Sequence, residues 1–132
     1  MGIVVGYLAT PEGRTALEAA AVEAQARKER LVVVVSDRGD DGDAARDELE
    51  AALDGVRRDL DARDIPHEVR LLTRGRDVAE DLIGTAEELG ASLIVIGLRR
   101  RSPVGKLILG ANAQRILLDA PCPVMAVKPA AG

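Results

Sequence analysis

Leu93-Ile94-Val95-Ile96-Gly97 is an unbroken apolar run closed by a glycine. A short run rich in β-branched residues, with no polar alternation, predicts a strand covered on both faces. The neighbouring segments agree with this. Upstream, Val78, Leu82, Ile83 and Leu89 fall at helical spacing, and Gly90 ends that helix. Downstream, Arg99 to Leu109 reads as a basic loop, and Asn112 to Leu118 as a short helix stopped by Pro121-Cys122-Pro123. Val124 to Val127 is a further apolar run. A helix before the strand and a helix after it, leading to another strand, is the repeating pattern of a parallel α/β sheet.

The first half of the chain repeats that pattern. Ile3-Val4-Val5 lies within a stretch from Gly2 to Tyr7 that reads as a strand rather than as a secretory leader. Thr10 is placed to cap a helix whose first position is Pro11, and Leu17, Ala20, Ala21 and Ala24 follow at helical spacing. Leu31 to Val35 is a second β-branched run, ending at Ser36-Asp37. Gly39 to Asp43 reads as a polar loop, and Leu49, Leu53, Val56 and Leu60 mark a helix from Ala44 to Arg63. Ile65-Pro66 breaks it. His67 to Leu72 alternates polar and apolar residues, as expected nearer the edge of a sheet, and Arg74-Gly75 turns the chain. The order βαβαβαβαβ predicts an α/β fold: an open five-stranded parallel sheet, Rossmann-like, with helices on both faces. Residues 1–132 read as one domain, with a tail from Pro129.

Composition narrows the function. Of the 132 residues, 47% are apolar but only 1% aromatic, so Val, Leu, Ile and Ala must build the core. Without aromatic platforms, and with a net charge of −4, nucleic acid is not an expected partner. No stretch approaches the roughly 20 apolar residues of a membrane span, so no membrane partner is expected either. One cysteine, Cys122, excludes an intrachain disulfide, and the expected compartment is the cytoplasm.

In an open parallel sheet, ligands sit beyond the carboxyl ends of the strands, where the strand order reverses. The candidate lining is therefore Gly6, Tyr7 and Leu8, then Val35 and Ser36, then Ile96, Gly97 and Leu98. After Gly97 comes Leu98-Arg99-Arg100-Arg101-Ser102-Pro103-Val104-Gly105-Lys106-Leu107-Ile108-Leu109-Gly110-Ala111-Asn112. A helix starting after Gly110 directs the N–H groups of Ala111, Asn112 and Ala113 outward, an anion site with Arg99, Arg100 and Lys106 in the preceding loop. Phosphate is the expected anion. The competing reading of the arginine run is a solvated face. Gly97 then serves only a tight strand exit, and Gly110 only helix–sheet packing.

This stretch resembles the universal stress protein family, whose nucleotide-binding members carry G-x2-G-x9-G-[S/T] between the fourth strand and the last helix. The resemblance extends to Val5-Gly6-Tyr7-Leu8-Ala9-Thr10-Pro11-Glu12-Gly13, to Ala91 through Gly97, and to Leu118-Asp119-Ala120-Pro121-Cys122-Pro123-Val124-Met125-Ala126-Val127. It implies the same five-stranded α/β sheet and a stress-response regulator that binds an adenine nucleotide: AMP, or ATP with or without Mg. It also implies a homodimer formed through the C-terminal strand, Val124 to Val127. Gly97 and Gly110 match the first and third glycines of the pattern. Arg100 stands at the second glycine, Ala111 at the Ser or Thr, and Leu8 where nucleotide-binding members have an acidic residue. These departures keep a second reading open: a protein-interaction module with a vestigial cleft.

Other chemistry is less well supported. Arg100 and Leu107 exclude a Walker A motif ending at Gly105-Lys106, and no G-x-G-x-x-G follows the first strand. His67 is isolated, and Cys122 between two prolines reads as packing. Asp40, Asp41 and Asp43 lack the later ligands of a calcium loop. No nucleophile, base and oxyanion set converges at the strand ends, so an enzyme is not expected and a weak phosphohydrolase ranks last.

Overall fold

The β-branched runs form the sheet and the 3.6-periodic segments cover it. The structure, a computed structural model, describes residues 1–7, 10–36, 42–72, 77–98 and 110–129. In chain order the elements are β1 (Gly2–Gly6), α1 (Pro11–Arg27), β2 (Arg30–Ser36), α2 (Gly42–Ala62), β3 (His67–Leu72), α3 (Val78–Leu89), β4 (Leu93–Gly97), α4 (Ala111–Asp119) and β5 (Val124–Val127). The five strands are parallel in the order β3-β2-β1-β4-β5. The chain builds outward from β1 through β2 to β3, then crosses to the other side of β1. The order therefore reverses between β1 and β4, where Ile3, Val4 and Val5 pair with Leu93, Ile94 and Val95.

Period-two alternation divides the core into two layers. Ile3, Val5, Leu31, Val33, Val35, Leu93 and Val95 point to the face covered by α1 and α2, where Ala16, Ala20, Ala21, Ala24, Leu53, Val56 and Leu60 meet them. Val4, Val32, Val34, Ile94 and Ile96 point to the other face, against Ala79, Leu82 and Ala86 of α3 and Ile116 of α4. Helices thus lie on both faces, and the edge position of β3 agrees with its alternating sequence. Two helices differ from their sequence boundaries. α2 starts at Gly42, inside the expected polar loop, and α4 extends one residue beyond the expected span at each end. The expected acidic loop residues Asp40 and Asp41 lie outside the described residues.

The two edges of the sheet differ in chemistry. Along β3, Glu68 and Arg70 form an ion pair, with Arg30 and Glu88 completing the group, and such charges discourage strand addition. β5 has no charged residue. No described helix is long and apolar enough to cross a membrane.

Candidate functional site

The carboxyl ends of β1, β2 and β4 converge at the reversal point. Gly6 pairs with Val34, the Tyr7 N–H donates to the Val34 carbonyl at 3.0 Å, and β2 runs on through Val35 and Ser36. On the other side Gly97 closes β4, and the Leu98 N–H donates to the Val127 carbonyl at 2.7 Å. The structure thus brings Gly6, Tyr7, Val35, Ser36, Ile96, Gly97 and Leu98 to the same end of the sheet, as the sequence predicts. Leu8, Arg99, Arg100 and Lys106 lie outside the described residues.

What these positions offer a ligand is mostly main chain. The Tyr7 and Val35 side chains are buried in the α1/α2 layer, and the Ile96 side chain in the α3/α4 layer. The two glycines are set by close packing. A Cβ on Gly6 would lie 3.0 Å from a Leu82 methyl of α3. A Cβ on Gly97 would overlap the Glu12 carbonyl oxygen and lie 2.7 Å from its carbon, so glycine here lets the first turn of α1 rest on the end of β4. Packing thus supplies a full reason for Gly97, independent of any ligand.

The helix starts differ in how they are capped. Thr10 Oγ1 accepts from the Gly13 N–H at 3.1 Å and caps α1, with Pro11 at its first position. Asp77 Oδ1 accepts from the Glu80 N–H at 2.8 Å and caps α3. α4 starts from Gly110, which is extended (φ −68°, ψ 168°) and provides no side-chain acceptor. The Gln114 N–H donates to the Gly110 carbonyl at 3.0 Å, so the N–H groups of Ala111, Asn112 and Ala113 precede the first intrahelical bond. Ala111 and Asn112 are exposed, and no acidic residue lies in this first turn. Among the described residues no side chain caps the positive end of this helix dipole. A phosphate group fits this set of donors.

Sequence reading missed two contributors. Asp77-x-x-Glu80 has the spacing of a capping box and was legible as a helix start. Arg115 of α4 carries no sequence signal. Its Nη1 lies 3.0 Å from Asp77 Oδ2 and 3.3 Å from Glu80 Oε1, and its Nε lies 3.9 Å from Asp119 Oδ2. Elsewhere, His67 Nδ1 lies 2.9 Å from the Ile65 carbonyl, and Cys122 is half-buried, with burial pushing its thiol pKa up. Among the described residues no group of three or more His, Cys, Asp or Glu is placed to hold a metal.

An open parallel five-stranded α/β sheet whose order reverses between β1 and β4, with helices on both faces, defines a Rossmann-like α/β protein. Comparison with known proteins names the family. The Universal stress protein family matches residues 1–128. A universal stress protein of Mycolicibacterium smegmatis is 43% identical over 127 residues, covering 96% of this chain and 97% of that protein. A universal stress protein from Archaeoglobus fulgidus superposes with a TM-score of 0.80 at 34% identity, covering 96% of this chain and 97% of the other. A second structure from that organism, a universal stress protein in complex with dAMP, has a TM-score of 0.75 at 29% identity and covers 96% of each chain. The chain belongs to the universal stress protein family.

Proposed function

We propose that this protein binds an adenine nucleotide, AMP or ATP, at the carboxyl ends of β1, β2 and β4, and acts as a stress-response regulator rather than an enzyme. The observation that carries the reading is the start of α4: a helix opened by Gly110, without a side-chain cap or an acidic first turn, that follows β4, one of the two strands between which the sheet order reverses. The dAMP complex of the related Archaeoglobus protein supports the same ligand class. Main-chain N–H groups at Ala111 and Asn112 hold phosphate, and Arg99, Arg100 or Lys106 adds charge. In this reading Gly6, Tyr7, Val35 and Ser36 are nearest the base and ribose, with Leu8 as the candidate the sequence adds to them. No turnover is part of this reading: among the strand-end residues Gly6, Tyr7, Val35, Ser36, Ile96, Gly97 and Leu98 only the hydroxyls of Tyr7 and Ser36 could react, and none of these residues is a carboxylate or imidazole that would activate them.

A second reading, a dimerising interaction module with a vestigial cleft, is favoured by Leu8, Arg100 and Ala111 and by the uncharged β5 edge. Beside that edge, Ala19 and Val22 of α1 and Met125 line a groove rimmed by Arg14, Glu18 and Glu23. The homodimer is part of both readings. Mass spectrometry of small molecules released from the purified protein separates them. Together with calorimetric titration by ATP and AMP, the nucleotide reading predicts an adenine nucleotide and binding lost in Gly110→Val. If neither nucleotide binds, and the double variant Arg100→Gly with Ala111→Ser does not bind either, the interaction module stands.

A further inference from the structure

We propose that Arg115 is a positioning residue for the phosphate site: it clasps the start of α3 and so fixes where the N–H groups of α4 point. The proposal rests on the nucleotide reading above for its ligand, while the clasp itself is a feature of the free protein.

α4 has nine residues, too few to hold a helix by themselves in water. Among its residues only Ile116 is buried, wedged with Ala79 and Leu82 in the α3/α4 layer. Ala113 adds only a small, partly buried contact to the same layer, so a short helix held mainly by Ile116 keeps freedom to rock about that point. Arg115, the adjacent residue, supplies the second constraint. Its guanidinium lies between Asp77 and Glu80 at the first turn of α3 and reaches toward Asp119 on its own helix. Asp77 also caps α3 through its other oxygen, so the clasp is tied to a fixed backbone rather than to a free side chain. Arg115 stands four residues after Ala111 and three after Asn112, on the same face as the two residues whose N–H groups would meet phosphate.

The geometry also explains why arginine suits this position. A planar guanidinium with several donors meets two carboxylates at once, whereas an ammonium is a point charge. Isolated surface ion pairs contribute little to stability, and each partner here is partly exposed. The effect of the clasp is therefore expected in the orientation of α4 more than in global stability.

The test uses the full chain with Arg115→Gln, Arg115→Lys and Asp77→Asn, the last keeping an acceptor for the α3 cap. AMP and adenosine are titrated by calorimetry, and hydrogen exchange of the Gln114 amide is followed in the free protein. Loss of the clasp predicts AMP binding weaker by about three- to tenfold, the scale of a small charge network, with adenosine binding unchanged. It also predicts faster Gln114 exchange and partial recovery in Arg115→Lys. Equal loss for AMP and adenosine would overturn the positioning role in favour of a general structural one. Unchanged Gln114 exchange in both Arg115→Gln and Asp77→Asn would overturn the clasp itself. Failure of the parent protein to bind AMP would instead sink the nucleotide reading, and exchange would still decide the clasp.

Discussion

Replacing Gly97 by alanine adds one methyl group where the end of β4 meets the first turn of α1. The new Cβ would overlap the Glu12 carbonyl oxygen, 2.7 Å from the carbonyl carbon and 3.1 Å from the Glu12 Cβ. Carbon–carbon contacts settle near 3.5–4.0 Å, so the first turn of α1 and the end of β4 must part by about 1 Å. Neither partner yields easily. The obstacle is main chain, Thr10 caps that turn, and α1 is anchored by Ala16, Ala20, Ala21 and Ala24 against the sheet. Overpacking of this kind costs about 1–3 kcal/mol when side chains can shift; with backbone as the obstacle the upper end applies. At about 4 °C per kcal/mol for a domain of this size, Gly97→Ala should lower Tm by about 12 °C. Thermal and urea melts followed by far-ultraviolet circular dichroism give the answer, with urea m-values confirming two-state unfolding. A loss smaller than about 1 kcal/mol, the low end of overpacking costs, would refute the packing explanation and leave Gly97 as a ligand requirement only.

The remaining predictions concern other parts of the fold. Gly55 in α2 and Gly84 in α3 have nothing within 4 Å of an added Cβ, so Gly55→Ala and Gly84→Ala should each stabilise by about 0.5–1 kcal/mol in the same melts. Glu68 has its pKa lowered from 4.5, first by its hydrogen bond from Arg70 and further by the charges of Arg70 and Arg30. Its contribution is therefore present above pH 4.5 and lost as pH falls through the lower folded value. The stability gap between the parent and Glu68→Gln should close on acidification, and a gap constant from neutral pH to acid would contradict this. Ala126→Pro removes a backbone donor from the uncharged β5 edge and should shift a homodimer toward monomer in light scattering; a parent protein already monomeric at micromolar concentration defeats the dimer proposal.

Local chemistry was largely legible in the sequence. The β-branched runs gave the strands, and Thr10-Pro11 marked the α1 start. Burial of Tyr7 could also have been read, because it continues the alternation of Ile3 and Val5 into the same layer. α2 starts two residues before the Ala44 that the periodicity predicts, because Gly42-Asp43 suits a polar loop and a helix first turn equally well. Long-range contacts were not legible. Gly97 meets Glu12 across 85 positions, and Arg115 meets Asp77 and Glu80 across 38 and 35. No periodicity relates such pairs. Only the sheet order, which sets α3 beside α4 and lays α1 across β4, brings them together.

The most direct test of the proposed site is an AMP titration of nitrogen-15-labelled protein followed by amide chemical shifts. The account predicts saturable shifts that are largest at Gly6, Gly97, Ala111 and Asn112, the strand ends and helix start around the sheet's reversal point. No shifts at millimolar AMP, or shifts centred on Arg14 to Glu23 and Met125 beside the β5 edge, would contradict it.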